Sequence, residues 1–354
     1  MRVAIYSQCH SALHGGGVLY ILSIASVLSH GNEVTVMDPA ELDLRAIERT
    51  YPADLDRVRI ERLRTRSGFP LVRECAQAVF NRRHDVIIVQ STLVPPVRRL
   101  GRAFLVCEFP FQQQISWRNR LRLKTYHLVA NSRFTAGWIK RRWGEDAEVL
   151  HPPVFTVRPL AKEPWILGVG RFVDSIRSKR QLEMIDMFRT LIGAGLKGWS
   201  LHLAGTIGND GYARAATEAA KGLPVTLHFG APRQDLEVLY GKSSIFWHAT
   251  GAGVNQESHP DLMEHFGIST AEAMSAGCVP VVVNGGGQPE IVGNECGVLW
   301  DTFDQCVERT LALAGDADRM SRLSAVAVER ARLFSFPVFA KRVERIFLQC
   351  GSCS

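Results

Sequence analysis

The sequence predicts an α/β chain of two successive units, each a parallel sheet with helices on both faces. Three observations predict it. Strand-length apolar runs alternate with helical patterns from residue 2 to residue 150. Four prolines (Pro152, Pro153, Pro159 and Pro164) then cluster as a seam. The same alternation restarts at Trp165. At 354 residues the chain is long enough for two domains of ordinary size.

In the first unit the apolar runs at 2–6, 33–37, 85–89, 103–107, 126–130 and 147–150 read as strands. The apolar-rich stretch 17–28 reads as a helix that Gly31 stops, and 73–80 as a second helix. Asn131-Ser132 caps a third that runs through Arg142. Strands follow in the second unit at 165–169, 199–204, 225–229, 244–247, 279–283 and 297–300. Gly170-Arg171-Phe172 closes the first of these, and Ser178-Lys179-Arg180-Gln181 opens a helix carrying Leu182, Ile185, Phe188 and Leu191. A short helix is expected at 232–240, and Pro289 suits the first position of another. The tail reads as helices at 303–314, 318–333 and 336–348.

Composition narrows the class. Apolar content of 46% with 22% charged residues describes a globular protein, and no run reaches the length of a membrane span. The apolar start at 1–5 is too short for a signal peptide, so the expected location is the cytoplasm. The eight cysteines show no paired metal spacing and read as reduced thiols. Charge is uneven: residues 1–150 hold 22 Lys and Arg against 14 Asp and Glu, while the remainder is nearly balanced. A basic first unit suits an anionic acceptor or membrane surface, or is a solvated Arg-rich face. The same two readings apply to 117–124, where Arg118, Arg120, Arg122 and Lys124 interleave with Trp117, Leu121 and Leu123. No basic-aromatic nucleic-acid motif is present.

The chemistry concentrates at Glu264-His265-Phe266-Gly267-Ile268-Ser269-Thr270-Ala271-Glu272. Ser269 and Glu272 have capping-box spacing, which starts the helix near Thr270 and puts Glu272 in its first turn. Gly277 ends that helix, the strand 279–283 follows, and the loop Asn284-Gly285-Gly286-Gly287 leads to Gln288-Pro289-Glu290. A helix start with unpaired N–H groups and a positive dipole end is a seat for a diphosphate. Near the other terminus, the loop from Ser7 to Gly17 is too long for a dinucleotide fingerprint, and His14-Gly15-Gly16-Gly17-Val18 lacks its glycine spacing. Asp54-x-Asp56 and Asp316-x-Asp318 match the two-letter D-x-D pattern of metal-dependent transferases, but the second lies at a helix start, and no metal is expected.

Glu264-x7-Glu272 with the following helix, strand, glycine loop and Gln288-Pro289-Glu290 resembles the donor-site signature of retaining GT-B glycosyltransferases of family 4 (glycosyl transferases group 1). With Trp247-His248 upstream, the flavour is that of lipid-linked oligosaccharide mannosyltransferases and bacterial relatives. The resemblance implies two Rossmann-like domains facing across a cleft: an acceptor domain at 1–158 joined by a returning helix at 336–354, and a donor domain at 159–335. It implies a metal-free hexosyl transfer from a nucleotide-diphosphate sugar, GDP-mannose or a UDP-sugar, to a glycan, glycolipid or small molecule. Glu264 then meets the sugar hydroxyls, Glu272 the ribose, and Arg171 with Lys179 the leaving diphosphate, Arg180 being a substitute for Lys179. His248, His265, Phe266, Gly267 and Ile268 line the donor, and Gly15, Gly16 and Gly17 approach its reacting centre. Glu108, where relatives carry a histidine or another polar group, either takes the acceptor hydroxyl's proton or hydrogen-bonds it. A GT-B phosphorylase or epimerase, or a catalytically silent nucleotide-sugar-binding protein, shares the outline.

Overall fold

A computed structural model describes residues 1–7, 15–38, 54–62, 83–95, 102–174 and 178–349. The helix expected at 73–80 lies outside these residues, as do Cys9, Cys75, Cys350 and Cys353. The chain divides into two compact units, Met1–Pro153 with Phe336–Ser354, and Val154–Ser335. The seam therefore falls before Val154, not after residue 158. Backbone explains the difference: Val154 N–H donates to Phe334 O, and Val157 N–H to Ser275 Oγ, which tie this stretch to the second unit.

The first unit is a seven-stranded parallel sheet. Its strands are β1 (Arg2–Ser7), β2 (Glu33–Asp38), β3 (Val58–Arg62), β4 (Val86–Gln90), β5 (Arg102–Cys107), β6 (His127–Ala130) and β7 (Glu148–Val149). Their spatial order is β3-β2-β1-β4-β5-β6-β7. The order reverses between β1 and β4, which makes a crevice at the carboxyl ends of those strands. Helix α1 (Gly16–Ser29) is buried from Val18 onward, which explains its nearly unbroken apolar sequence. Helices α2 (Trp117–Leu123) and α3 (Arg133–Trp143) follow β5 and β6. Ser132 caps α3 through the Thr135 N–H at 3.0 Å, and Gly144 ends it in the left-handed conformation. On α2 only Leu123 is buried, while Trp117 and Leu121 face solvent.

The second unit is a six-stranded parallel sheet in the order β10-β9-β8-β11-β12-β13. Its strands are β8 (Glu163–Val169), β9 (Ser200–Gly205), β10 (Val225–Phe229), β11 (Ser243–His248), β12 (Val279–Val283) and β13 (Val298–Trp300). Around it lie α4 (Gln181–Gly193), α5 (Asp210–Ala219), α6 (Arg233–Lys242), α7 (Ile268–Ser275), α8 (Gln288–Val292), α9 (Phe303–Ala314) and α10 (Ala317–Ala331). All five residues of β12 are buried, so its apolar run needs no alternation. The order reverses between β8 and β11, and the loops leaving those two strands carry most of the candidate site.

The chain ends in α11 (Phe336–Glu344), which belongs to the first unit. Phe339, Val343, Ile346 and Phe347 join the core that α1 builds on the sheet. Arg102 Nη2 donates to Phe347 O at 2.9 Å, and Arg345 pairs with Glu148 at 2.7 Å. Among the described residues no helix is long and apolar enough to cross a membrane. Cys107, Cys278, Cys296 and Cys306 are buried.

Candidate active site

Four stretches of the second unit supply the candidate donor groups. After β8, Gly170-Arg171 leads to Lys179; after β11, His248 leads to Glu264. Gly170 matters because a Cβ there would overlap the Lys179 side chain, so its absence lets the lysine stem cross the strand end. Lys179 then reaches Glu264, and the ammonium and carboxylate form an ion pair on Oε2. His248 Nε2 meets the same oxygen at 3.0 Å. The structure thus brings three of the expected site residues together.

Burial and neighbouring charge act on both Glu264 and His248. Burial alone raises the Glu264 carboxyl, but the Lys179 cation and the His248 hydrogen bond outweigh it and hold Glu264 well below the usual carboxylate range. Burial pushes the His248 imidazole below its ordinary value, against the pull of Glu264. An ionised carboxylate can only accept, so the neutral imidazole donates from Nε2. Its Nδ1 is buried with no hydrogen-bond partner among the described residues.

Lys179 and Arg180 separate in role. Arg180 sits at the N-cap of α4 with φ 60°, the one left-handed non-glycine among the described residues, and its guanidinium turns to Glu183 at 2.7 Å. Lys179, and not Arg180, is the one that reaches Glu264. Arg171 is exposed at the end of β8, and its carbonyl accepts from Gln181 Nε2 at 3.1 Å.

The helix after Glu264 departs from the capping-box reading. α7 begins at Ile268, with Gly267 as its N-cap at φ 117°, and no side chain caps it. Glu272 is therefore past the first turn and does not reach back to Ser269. Its Oε1 accepts from Arg233 Nη1 at 2.6 Å, a partner on α6 that local spacing could not reveal. No side chain caps this start; the Thr270 N–H donates to Gly267 O at 3.1 Å, and the Ile268 and Ser269 N–H groups ahead of it are those an anion seat would use. The α3, α5, α9 and α10 starts differ: Ser132, Asn209, Thr302 and Asp316 cap them.

The glycine loop acts on the motif from behind. Gly287 N–H donates to Glu264 O at 2.8 Å. A Cβ on Gly287 would lie 2.5 Å from His265 O and 2.7 Å from Phe266 Cα. These glycines let one backbone lie directly on the other, which fixes 264–266. Phe266 points into the core against Phe334, ring centroids 5.5 Å apart, so only its backbone is placed to serve a ligand. Gln288, fully buried, lies under Gly267.

In the first unit, Gly15 is the N-cap of α1, and Gly16 and Gly17 form its first turn. Gly17 O accepts from Gln90 Nε2 at 2.9 Å. The same Nε2 donates to Glu108 Oε1, and a Cβ on Gly17 would overlap that carboxylate. Glu108 O in turn accepts from Thr135 Oγ1 at 3.0 Å. Gln90, fully buried at the end of β4, is a partner of the candidate Glu108 that the sequence reading missed.

Asp54 Oδ1 accepts from Asp56 N–H in a turn, Asp316 caps α10, and no group of three ligating side chains occurs among the described residues.

Residues 156–325 match the family described as glycosyl transferases group 1. The second unit carries a glycosyl transferases group 1 domain. No curated protein matches the sequence. Among solved structures the chain is similar to a glycosyltransferase from Rickettsia africae ESF-5, at 15% identity over 100% of this chain and 99% of that one, TM-score 0.75. It is similar to HepE of Anabaena in complex with UDP, at 16% identity over 98% and 99%, TM-score 0.72. A third is sucrose-phosphate synthase from Thermosynechococcus elongatus, at 15% identity over 100% of both chains, TM-score 0.71. At these identities the likeness is one of fold, and the fold is GT-B. The group 1 domain contains Arg171, Lys179, His248, Glu264 and Glu272, whereas Glu108 and the glycines of α1 lie outside the match.

Proposed function

We propose that the chain is a retaining, metal-independent glycosyltransferase. It moves a hexosyl group from a nucleotide-diphosphate sugar, a UDP-sugar or GDP-mannose, to a glycan, glycolipid or small-molecule acceptor. The observation that carries this reading is the 264–290 block. The half-buried Glu264 precedes an uncapped helix start, the buried Glu272 lies within that helix, the glycine loop braces the start, and the block lies inside the group 1 match.

In this reading the diphosphate rests on the first-turn N–H groups of α7, Glu272 takes the ribose hydroxyls, and Glu264 the sugar hydroxyls. His248, His265 and the backbone at Phe266, Gly267 and Ile268 complete the donor seat. The bond from C1 to the phosphate oxygen breaks, and its electron pair leaves with the diphosphate. Arg171 and Lys179 offset the charge that develops there. The acceptor oxygen bonds C1 on the same face, through an oxocarbenium-like state, and a phosphate oxygen takes its proton. Glu108, with Gly16 and Gly17, serves the acceptor and reacting centre. The basic first unit suits an anionic acceptor, and α2 with its exposed Trp117 suits peripheral contact at the cytoplasmic membrane face.

The test is a thermal-shift series with UDP, GDP and their sugars, with and without EDTA. A ligand that binds only the native state raises the melting temperature by mass action. Stabilisation by one diphosphate regardless of EDTA, followed by a product of retained anomeric configuration in NMR, is expected. An inverted product would sink the mechanism, and binding without transfer to any acceptor would leave a silent binding protein.

A further inference from the structure

The sequence reading gives no role to Arg233, yet the structure ties it to one of the two motif glutamates. Arg233 is the first residue of α6, and its guanidinium faces two carboxylates. Nη1 donates to Glu272 Oε1 at 2.6 Å, and Nε donates to Glu237 Oε1 at 2.8 Å, one helical turn along α6. Nη2 is buried and has no hydrogen-bond partner among the described residues. Glu272 itself is almost wholly buried, and the titratable groups acting on it are Arg233, Tyr240 and Glu237, all on α6. Burial pushes its carboxyl up, toward the neutral form, and the guanidinium pulls the other way.

A carboxylate that receives ribose hydroxyls must be ionised and must present an oxygen. Arg233 holds Oε1 in place and favours the charged form against the burial that raises the carboxyl overall, with Tyr240 on the same helix acting alongside it. Glu237 holds the guanidinium through Nε.

We propose that Arg233 is a positioning residue for nucleoside diphosphate binding, acting through Glu272, with Glu237 as its own support. The inference rests on the reading of this unit as a nucleotide-sugar site. Arg233 acts on the nucleoside end only, so it contributes to holding the donor and not to the step at C1.

Calorimetry with UDP and GDP on the full chain tests this, using Arg233→Gln, Arg233→Lys, Glu272→Gln and the double variant Arg233→Gln/Glu272→Gln. Loss of one charge-assisted hydrogen bond predicts a diphosphate Kd weaker by roughly 10- to 100-fold in Arg233→Gln. Arg233→Lys keeps the charge and recovers part of the loss. Because Arg233 acts through Glu272, the double variant binds no more weakly than Glu272→Gln alone. Donor KM rises while kcat at saturating donor is retained. Should Arg233→Gln fail to fold, Arg233→Lys and Glu237→Gln carry the same test with smaller losses. Wild-type affinity in every folded variant, or losses that add in the double variant, would overturn the inference and leave the donor site standing. A wild-type chain that binds no nucleoside diphosphate removes the donor site itself, and the inference with it.

Discussion

Lys179 and Glu264 form an ion pair within the second unit, on the same carboxylate oxygen that receives the His248 N–H. Two residues expected to serve different parts of a donor, the diphosphate and the sugar, are thus each other's partners. The Lys179 side chain is 27% exposed and the Glu264 side chain 21%, so water screens the pair only in part. Removing Lys179 leaves a half-buried carboxylate with a neutral imidazole as its remaining support.

Lys179→Met is therefore expected to destabilise the second unit by ~1–2 kcal/mol, less than breaking a fully buried pair from one side because water reaches both groups. The denaturant midpoint should fall with the slope unchanged. Donor turnover should fall as well, because the leaving diphosphate loses a cation. A variant as stable as wild type would mean the ammonium does not hold Glu264.

A second prediction concerns acid. His202 on β9 and His228 on β10 meet through Nδ1 and Nε2 at 3.0 Å, and Ser200 Oγ lies 2.9 Å from His202 Nε2. Trp165 lies over the His202 ring, centroids 4.3 Å apart. Burial, with His228 adding to it, pushes the His202 imidazole down to about 4. In the unfolded chain a histidine binds its proton near pH 6.5, roughly. Between these values the unfolded state holds more protons, so stability is fully present above the unfolded value and is lost as pH falls through this window. His202→Phe should flatten that part of the stability-pH curve, measured by urea unfolding. An unchanged slope would show that the pair does not couple to folding.

How much of this was legible in the sequence depends on range. Strands buried on both faces, such as β12 and β4, announce themselves as continuous apolar runs. β3 did not: Val-Arg-Ile-Glu-Arg at the sheet edge alternates apolar with charged residues over too short a length. α5 escaped because its sequence, rich in alanine and charge, has only Tyr212, Ala213 and Ala216 buried. The residue types of the donor motif were readable, but their partners were not. Ser269 and Glu272 satisfy the capping-box spacing, yet Gly267 starts the helix earlier and Arg233, distant in sequence, takes the glutamate. Glu108 and Gln90 likewise meet only because β4 and β5 are neighbours in the sheet.

The returning C-terminal segment supplies the last prediction. Phe347 is fully buried in the core of the first unit, edge-on to Phe104 with centroids 4.8 Å apart, and its carbonyl accepts from Arg102. These contacts all lie within one unit, and none reaches the group 1 domain. Phe347→Ala removes a large buried ring and leaves a cavity, which costs about 3–5 kcal/mol. The loss should fall on the first unit alone, since each unit has its own core. Calorimetric melting should then show an early transition split from a later one, and only the later one should rise with UDP or GDP. A single transition that shifts as a whole would mean that the two units unfold as one cooperative body, with the segment after Ser335 stabilising both.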